Sequence, residues 1–206
     1  MTYWSIHRHD GPTTDRFAGL PDEATDVYRE VFTAPPWNEP TDAVTDFRCR
    51  LAVDVHRPGF TLVLARPDPD TASPGATAAR PRTGRVRPVV AGFGTAFTTV
   101  APWRTDRAYA EVAAHLGAER VRELLVDGLE VDELAVRPEA RGAGLGKRLL
   151  AELTADAPHG RAWLLTAPAA TGTVDFYRRS GWHEVPGVPA SNKSITVFLS
   201  PTHPGA

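Results

Sequence analysis

Apolar and polar positions alternate along this chain in two rhythms, and the switches between them mark its elements. From Asp22 to Phe32 the apolar residues Ala24, Val27, Tyr28, Val31 and Phe32 recur with helical spacing and form one face. Pro35 and Pro36 stop that helix, because proline rings block its continuation. Thr41 offers a cap for a second helix carrying Val44, Phe47, Leu51 and Val55, and Pro58-Gly59 ends it. Thr105 to Leu116 and Ala118 to Val126 read as two short helices broken at Gly117. Leu145, Leu149, Leu150 and Leu153 define a further helix face, and Thr171 to Ser180 another, with Gly181 just beyond its end. Strands are expected at Thr2 to His7, Phe60 to Ala65, Val89 to Val100, Leu129 to Arg137, Arg161 to Thr166, Trp182 to Val185 and Lys193 to Leu199. The glycines of the Val89–Val100 strand suggest a twist or bulge. Pro138 biases Arg137 toward extended structure and ends its strand. The pattern predicts a mixed α/β fold: a largely antiparallel central sheet flanked by helices on both faces.

Composition narrows the picture. With 206 residues the chain suffices for one domain, 1–206, with a real core. Its net charge of −2 argues against general binding of nucleic acid or membrane surfaces. The N-terminus lacks a signal-peptide profile and no apolar run approaches a membrane span, so a cytoplasmic protein is expected. The single Cys49 excludes an intramolecular disulfide, suits a reducing cytosol and reads as an inert, half-buried thiol. His7 and His9 would share a strand face, but no third ligand lies near them in sequence, and no metal site is expected. Residues 67–88 differ in kind, rich in proline and small residues and without an aromatic. Such a stretch cannot bury enough to offset its own ordering entropy and is expected to be a mobile insertion. Arg80, Arg82, Arg85 and Arg87 would make it a charged flap, or it is a solvated linker.

The candidate chemistry centres on Leu129 to Leu150. A strand leads into a turn with Gly142, Gly144 and Gly146 at every second position, and a helix follows. Glycines let backbone N–H groups approach a ligand, and a helix N-terminus adds unpaired donors and a positive dipole end. The stretch therefore suits an anion, most plausibly phosphate. It is not a P-loop, because Gly142 and Gly146 have three residues between them and Lys147 is followed by Arg148 rather than Ser or Thr. Nor is it a dinucleotide fingerprint, because Lys147 stands where the third glycine belongs.

Arg141, Gly144 and Gly146 instead match the pattern Arg/Gln-x-x-Gly-x-Gly/Ala. With Leu134-Ala135-Val136 before it and Asp175-Phe-Tyr-Arg-Arg-Ser-Gly-Trp182 after it, the stretch from Leu129 to Val185 resembles the GNAT superfamily of acyl-CoA-dependent N-acyltransferases. The resemblance implies acetyl-CoA as acyl donor and no metal. It places the pyrophosphate on the turn Arg141, Gly142, Ala143, Gly144, Leu145, Gly146, with Lys147 and Arg148 adding positive charge. It pairs the pantetheine arm with the backbone of Leu134, Ala135 and Val136, where an N–H would polarise the thioester carbonyl. It also splays two adjacent strands, those ending near Val136 and Thr166, into a V. Monomers and homodimers both suit the family.

Acyl transfer to an amine needs a base for the ammonium proton and an acid for the leaving thiolate. Glu130 lies six residues before Val136, where several family members carry a catalytic glutamate. It would take the proton directly or through a water, and Asp132 could share the task or bind a cationic substrate. Strand alternation puts Glu130 and Asp132 on one face and Glu133 on the other, barring a bulge. The bland reading is that these acids solvate a strand end. Tyr177 matches the family's tyrosine that acts as acid to the thiolate. Many relatives carry an asparagine after the next strand, but Thr166 to Gly172 has none, so that polar contact is either missing or made by Thr166, Thr171 or Thr173. Trp37 and Glu39, between the first two helices, would line the acceptor pocket as aromatic wall and cation contact, or form a packed Pro-Trp turn. The carboxylates favour a cationic primary amine, either a small molecule or a protein amino group. The rivals are a non-catalytic acyl-CoA-binding or regulatory module of the same fold, and a nucleotide-binding protein using the same turn.

Overall fold

The computed structural model describes residues 4–11, 19–68, 90–187 and 195–206. Residues 69–88 of the expected insertion and flap lie outside them. The seven strands are β1 (Trp4–Asp10), β2 (Thr61–Pro67), β3 (Gly92–Thr98), β4 (Leu129–Val136), β5 (Ala162–Thr166), β6 (His183–Glu184) and β7 (Thr196–Leu199). They form one sheet in the order β1-β2-β3-β4-β5-β7-β6, in which only β4 and β5 pair in parallel. The six helices are α1 (Leu20–Phe32), α2 (Thr41–Asp54), α3 (Tyr109–Leu116), α4 (Ala118–Leu124), α5 (Leu145–Thr154) and α6 (Thr171–Arg179). Among the described residues, no helix is long and apolar enough to cross a membrane.

The helices form a layer on each face of the sheet. The stripe Ala24, Val27, Tyr28, Val31 and Phe32 of α1 joins Val44, Phe47 and Leu51 of α2 over Leu62, Leu64, Phe93 and Phe97. Leu145, Leu149, Leu150 and Leu153 of α5 pack on the opposite face against Val63, Ala65, Val131 and Phe198, joined by Val174 and Tyr177 of α6. Tyr109, Val112 and Leu116 of α3 and Val121 of α4 cover Trp163, Val197 and Leu199. The helices predicted from spacing alone thus bury the residues that defined them, because an amphipathic stripe is stable only against another apolar surface.

Some expectations need correction. Thr41 is not a cap: it is the first residue of α2, Pro40 holds the cap position, and no side chain there bonds the helix end. Cys49 is exposed rather than half-buried, since it lies off the Val44-Phe47-Leu51 stripe. The helix expected from Thr105 begins only at Tyr109. Arg107 just before it has a left-handed φ of 51°, which a helix cannot contain.

Two departures from regular pairing shape the centre. Thr95 pairs with Glu133 while the next residue, Ala96, pairs with Val131, so Asp132 is an extra residue bulged out of β4. Beyond this point β4 has lost β5: the two pair only through Leu129–Ala162, Glu130–Trp163 and Val131–Leu164. Leu165 and Thr166 continue paired to β7 alone. The expected V therefore opens at the bulge.

Close contact between β3 and α5 depends on glycine. A Cβ on Gly92 would lie 2.7 Å from the Ala135 carbonyl oxygen and 3.1 Å from a Leu149 methyl. Gly92→Ala should therefore destabilise the protein by about 1–3 kcal/mol through overpacking. In urea unfolding the midpoint should fall with the slope unchanged, and an unaltered midpoint would show that β3 has room to shift.

Candidate active site

The glycine turn is built for approach from outside. Arg141 is extended, Gly142 has φ 81°, and Gly144 caps α5 with φ 75°. A Cβ on Gly142 or Gly144 would meet nothing within 4 Å, so these glycines serve the backbone conformation and leave open space above it. Among the described residues, no acceptor takes the backbone N–H of Gly142, Ala143, Gly144, Leu145, Gly146 or Lys147. The first intrahelical acceptor is Gly144 O, which takes Arg148 N–H. The turn thus presents consecutive free donors at the positive end of α5. Arg141 folds back through Nε onto Val136 O at 3.0 Å. Arg148, expected to add charge here, is instead committed to Trp4 O at 2.9 Å. Gly146 packs toward Phe176, whose ring a Cβ there would meet at 3.4 Å.

The edge of β4 facing β5 is unpaired from Asp132 to Val136, which includes Leu134, Ala135 and Val136. Their other edge is fully paired with β3, as Gly94–Leu134, Phe93–Ala135 and Gly92–Val136. This gives an open strand edge running from the bulge toward the glycine turn, suited to an extended chain with amide groups. The turn thus offers donors to an anion, and the edge offers pairing to an extended amide chain. At the far side of the V, Thr166 Oγ1 is buried with no hydrogen-bond partner among the described residues. Of the three threonines considered in place of the asparagine, it alone is buried with an unspent hydroxyl. Thr171 is exposed and Thr173 half-buried.

The bulge changes the placement of the acids. Regular alternation would separate Glu130 from Glu133, but the extra residue brings both to the face covered by α2 and α3. Glu130 is buried. Its Oε1 accepts the Tyr109 O–H at 2.7 Å and its Oε2 accepts the Thr99 O–H at 3.3 Å. Burial, then the charge of Asp132, pushes its pKa up to about 8, opposed by the Tyr109 bond, Arg107 and Arg57. Glu133 is pushed up for the same two reasons and is opposed by Arg107 and Arg50. Asp132 is bound by Arg107 at 2.7 Å, and Glu133 by Arg50 at 3.0 Å and Arg107 at 4.0 Å. Burial alone would lower the pKa of Arg107, but Asp132 and Glu133 outweigh it and raise it. Each of these arginines is thus a fixed cation.

Tyr177 is buried between Phe176, Trp182 and Phe198. Burial and then the charge of Glu133 raise its pKa, so the phenol keeps its proton and lies within electrostatic reach of the acid cluster. No hydrogen bond ties it to another described residue. Glu39 accepts the Tyr28 O–H and adds to the field at Glu133, which brings it to the cluster's edge. Trp37 does not join them: its ring packs on Phe32 with centroids 5.5 Å apart, the packed-turn alternative. Among the described residues, no group of His, Cys, Asp and Glu is arranged to hold a metal ion.

Sequence reasoning missed Arg50, Tyr28, Thr99, Arg107, Tyr109 and Trp163. Tyr109 had a helical stripe and passed for core. Arg107 fell inside an expected helix and had no signal of its own.

The Acetyltransferase (GNAT) domain family matches residues 105–184, the span from the segment before α3 through β6. No curated protein matches the sequence at significance. Among solved structures, PH1933 from Pyrococcus horikoshii OT3 is 13% identical with a TM-score of 0.53, covering 95% of this chain and 98% of its own. A GNAT-family acetyltransferase from Bacillus cereus is 11% identical with a TM-score of 0.52, covering 96% of each chain. The aminoglycoside N-acetyltransferase AAC(6')-Iy, solved in complex with CoA, is 11% identical with a TM-score of 0.53, covering 94% of this chain and 96% of its own. At these identities the likeness is one of fold. The family match covers residues 105–184, and the chain as a whole shares the fold of these neighbours.

Replacing Gly144 by Val should cost about 1–2 kcal/mol through its left-handed φ and place a side chain over the free amides. Acetyl-CoA affinity should fall more than tenfold, about 1.4 kcal/mol, in calorimetric titration with ATP and NADH as comparators. Unchanged affinity in a folded variant would remove the turn from the donor site.

Proposed function

We propose that the protein transfers an acetyl group from acetyl-CoA to a primary amine by direct attack in a ternary complex. One observation carries this reading: beside an open strand edge, the Glu130 carboxyl is buried in the last stretch of β4–β5 pairing, while burial and the charge of Glu133 keep the proton on the buried Tyr177 phenol. The free amides of the glycine turn and the open edge of β4 would hold the donor. A backbone N–H on that edge would stabilise the oxyanion that forms at the thioester carbonyl.

In the reaction, Glu130 takes a proton from the acceptor ammonium, directly or through a water. The freed nitrogen lone pair attacks the thioester carbon, and the carbon–sulfur bond breaks. Tyr177 gives its O–H proton to the departing thiolate, and the second proton that the nitrogen sheds as the amide forms restores the phenol. An ordinary thiol titrates near ~8.5 and the Tyr177 phenol well above that, so its proton is shared with sulfur in the transition state rather than surrendered beforehand. Asp132 is the third member. Its charge helps keep Glu130 basic, while its own carboxylate is held by Arg107.

The acceptor follows from the same pairs. The carboxylates first suggested a cationic pocket, but Asp132 and Glu133 already hold arginines. An acceptor with a single amino group satisfies the site, on a small molecule or a protein, and additional positive charge gains little from it.

A raised base must lose its proton before it can act. For an acetylated amine, kcat/KM should therefore rise with pH and level off above about 8, falling tenfold per unit below it. Glu130→Gln should lower kcat/KM by ~10²–10⁴ and leave acetyl-CoA affinity intact. A pH-independent Glu130→Gln profile at wild-type rate would exclude Glu130 as base. Tyr177→Phe should slow turnover with acetyl-CoA affinity nearly unchanged, and undiminished turnover would remove it as the acid.

A further inference from the structure

Glu130 sits at the meeting point of three elements that the reaction itself does not require. Both carboxylate oxygens are occupied, Oε1 by Tyr109 from α3 and Oε2 by Thr99 from the end of β3. Thr99 is in turn fixed from behind. The indole Nε1–H of Trp163 donates to Thr99 Oγ1 at 2.9 Å. An indole N–H can only donate, so it occupies an acceptor position of the threonine oxygen and leaves the hydroxyl proton for Glu130. The threonine backbone is also pinned, its N–H to Gly128 O at 2.9 Å and its C=O to Asp127 N–H at 2.8 Å. Trp163 is fully buried and pairs in register with Glu130 across the parallel β4–β5 junction. That junction is the last stretch of pairing before the strands part.

We propose that Thr99, Trp163 and Tyr109 are positioning residues that seat Glu130 by both carboxylate oxygens at the closed end of the V, so that it serves as the base of the transfer. This rests on the reading of Glu130 as base. Donors to both oxygens favour the ionised, proton-accepting form and resist the burial that works against it. They also fix the carboxylate in one orientation, whereas a free glutamate would sample several rotamers. The other charged groups that bear on Glu130 are Asp132 on β4, Arg107 before α3 and Arg57 after α2. Arg104 lines the cavity that Glu130 shares with Thr99, Trp103 and Tyr109. None of these four is removed in the test below.

The test combines two readouts. The first is the pH profile of kcat/KM. The second is the titration of the Glu130 side-chain carboxyl carbon by NMR in protein without acceptor, assigned through Glu130→Gln. Tyr109→Phe keeps the ring and removes the donor. It should move the acid limb and the carboxyl titration upward together by about one pH unit, about tenfold in kcat/KM at pH 7. Thr99→Val should move both in the same direction by less, consistent with its longer bond. Thr99→Ser, which restores the hydroxyl, should return both toward wild type. Trp163→Phe should follow Thr99→Val, because it frees the threonine hydroxyl to turn away. If that variant does not fold, the contrast of Val with Ser at position 99 decides the point. Rates lowered equally at every pH, with the titration unmoved, would overturn the proposal and leave these side chains a packing role. A titration that moves as expected while Glu130→Gln keeps full turnover would overturn the base reading and establish the seat alone.

Discussion

The centre of this molecule depends on one loss of register. At Asp132 a single extra residue enters β4, and at the same point the strand loses its neighbour β5. A bulge interrupts a ladder and re-aims the side chains beyond it. Here it has two results. It leaves a strand edge with unpaired backbone groups running toward the glycine turn. It also turns Glu133 to the face that Glu130 already occupies, so that acids which alternation would divide between two layers share one. The open strand edge and the acid cluster are consequences of the same irregularity.

That cluster is stable only because it is compensated. Three acids lie on a short buried segment, and an unpaired buried charge is costly. Arg107 and Arg50 reach in from two different elements to meet Asp132 and Glu133. Glu130 has no arginine bonded to it. Neutral hydroxyl donors hold it instead, and it is correspondingly free to change its protonation. Two of the three acids are thus met by permanent cations and the third by hydroxyls, within four residues of one strand.

Much of this architecture was legible in the residues. The stripes on α1, α2 and α5 predicted both layers, because burial of a periodic face is a local property. The turn from Arg141 to Lys147 was legible for the same reason, since its glycines and the helix behind them are contiguous. Thr99, Tyr109, Trp163, Arg50 and Arg107 were not. They converge from separate elements on the acid cluster of β4, and no local pattern announces that meeting. Tyr109 was visible as a helix-face residue, but one side of that ring is core and the hydroxyl at its tip is site. The bulge was allowed for but could not be placed, because it is defined by pairing with β3 rather than by β4 alone. Arg148 and Trp37 show the converse: a plausible type at a plausible position, committed elsewhere by a carbonyl of β1 and a ring of α1.

The contact between Gly146 and Phe176 joins the glycine turn to α6. Gly146 lies in the first turn of α5, beside the free amides. Phe176 is the neighbour of Tyr177 on α6. The turn that would grip phosphate and the helix whose phenol would meet sulfur therefore touch one another, through the first turn of α5 and a ring of α6. In the proposed reading, that contact would set the span a pantetheine arm has to bridge before any chemistry begins, as a gauge block sets a slot.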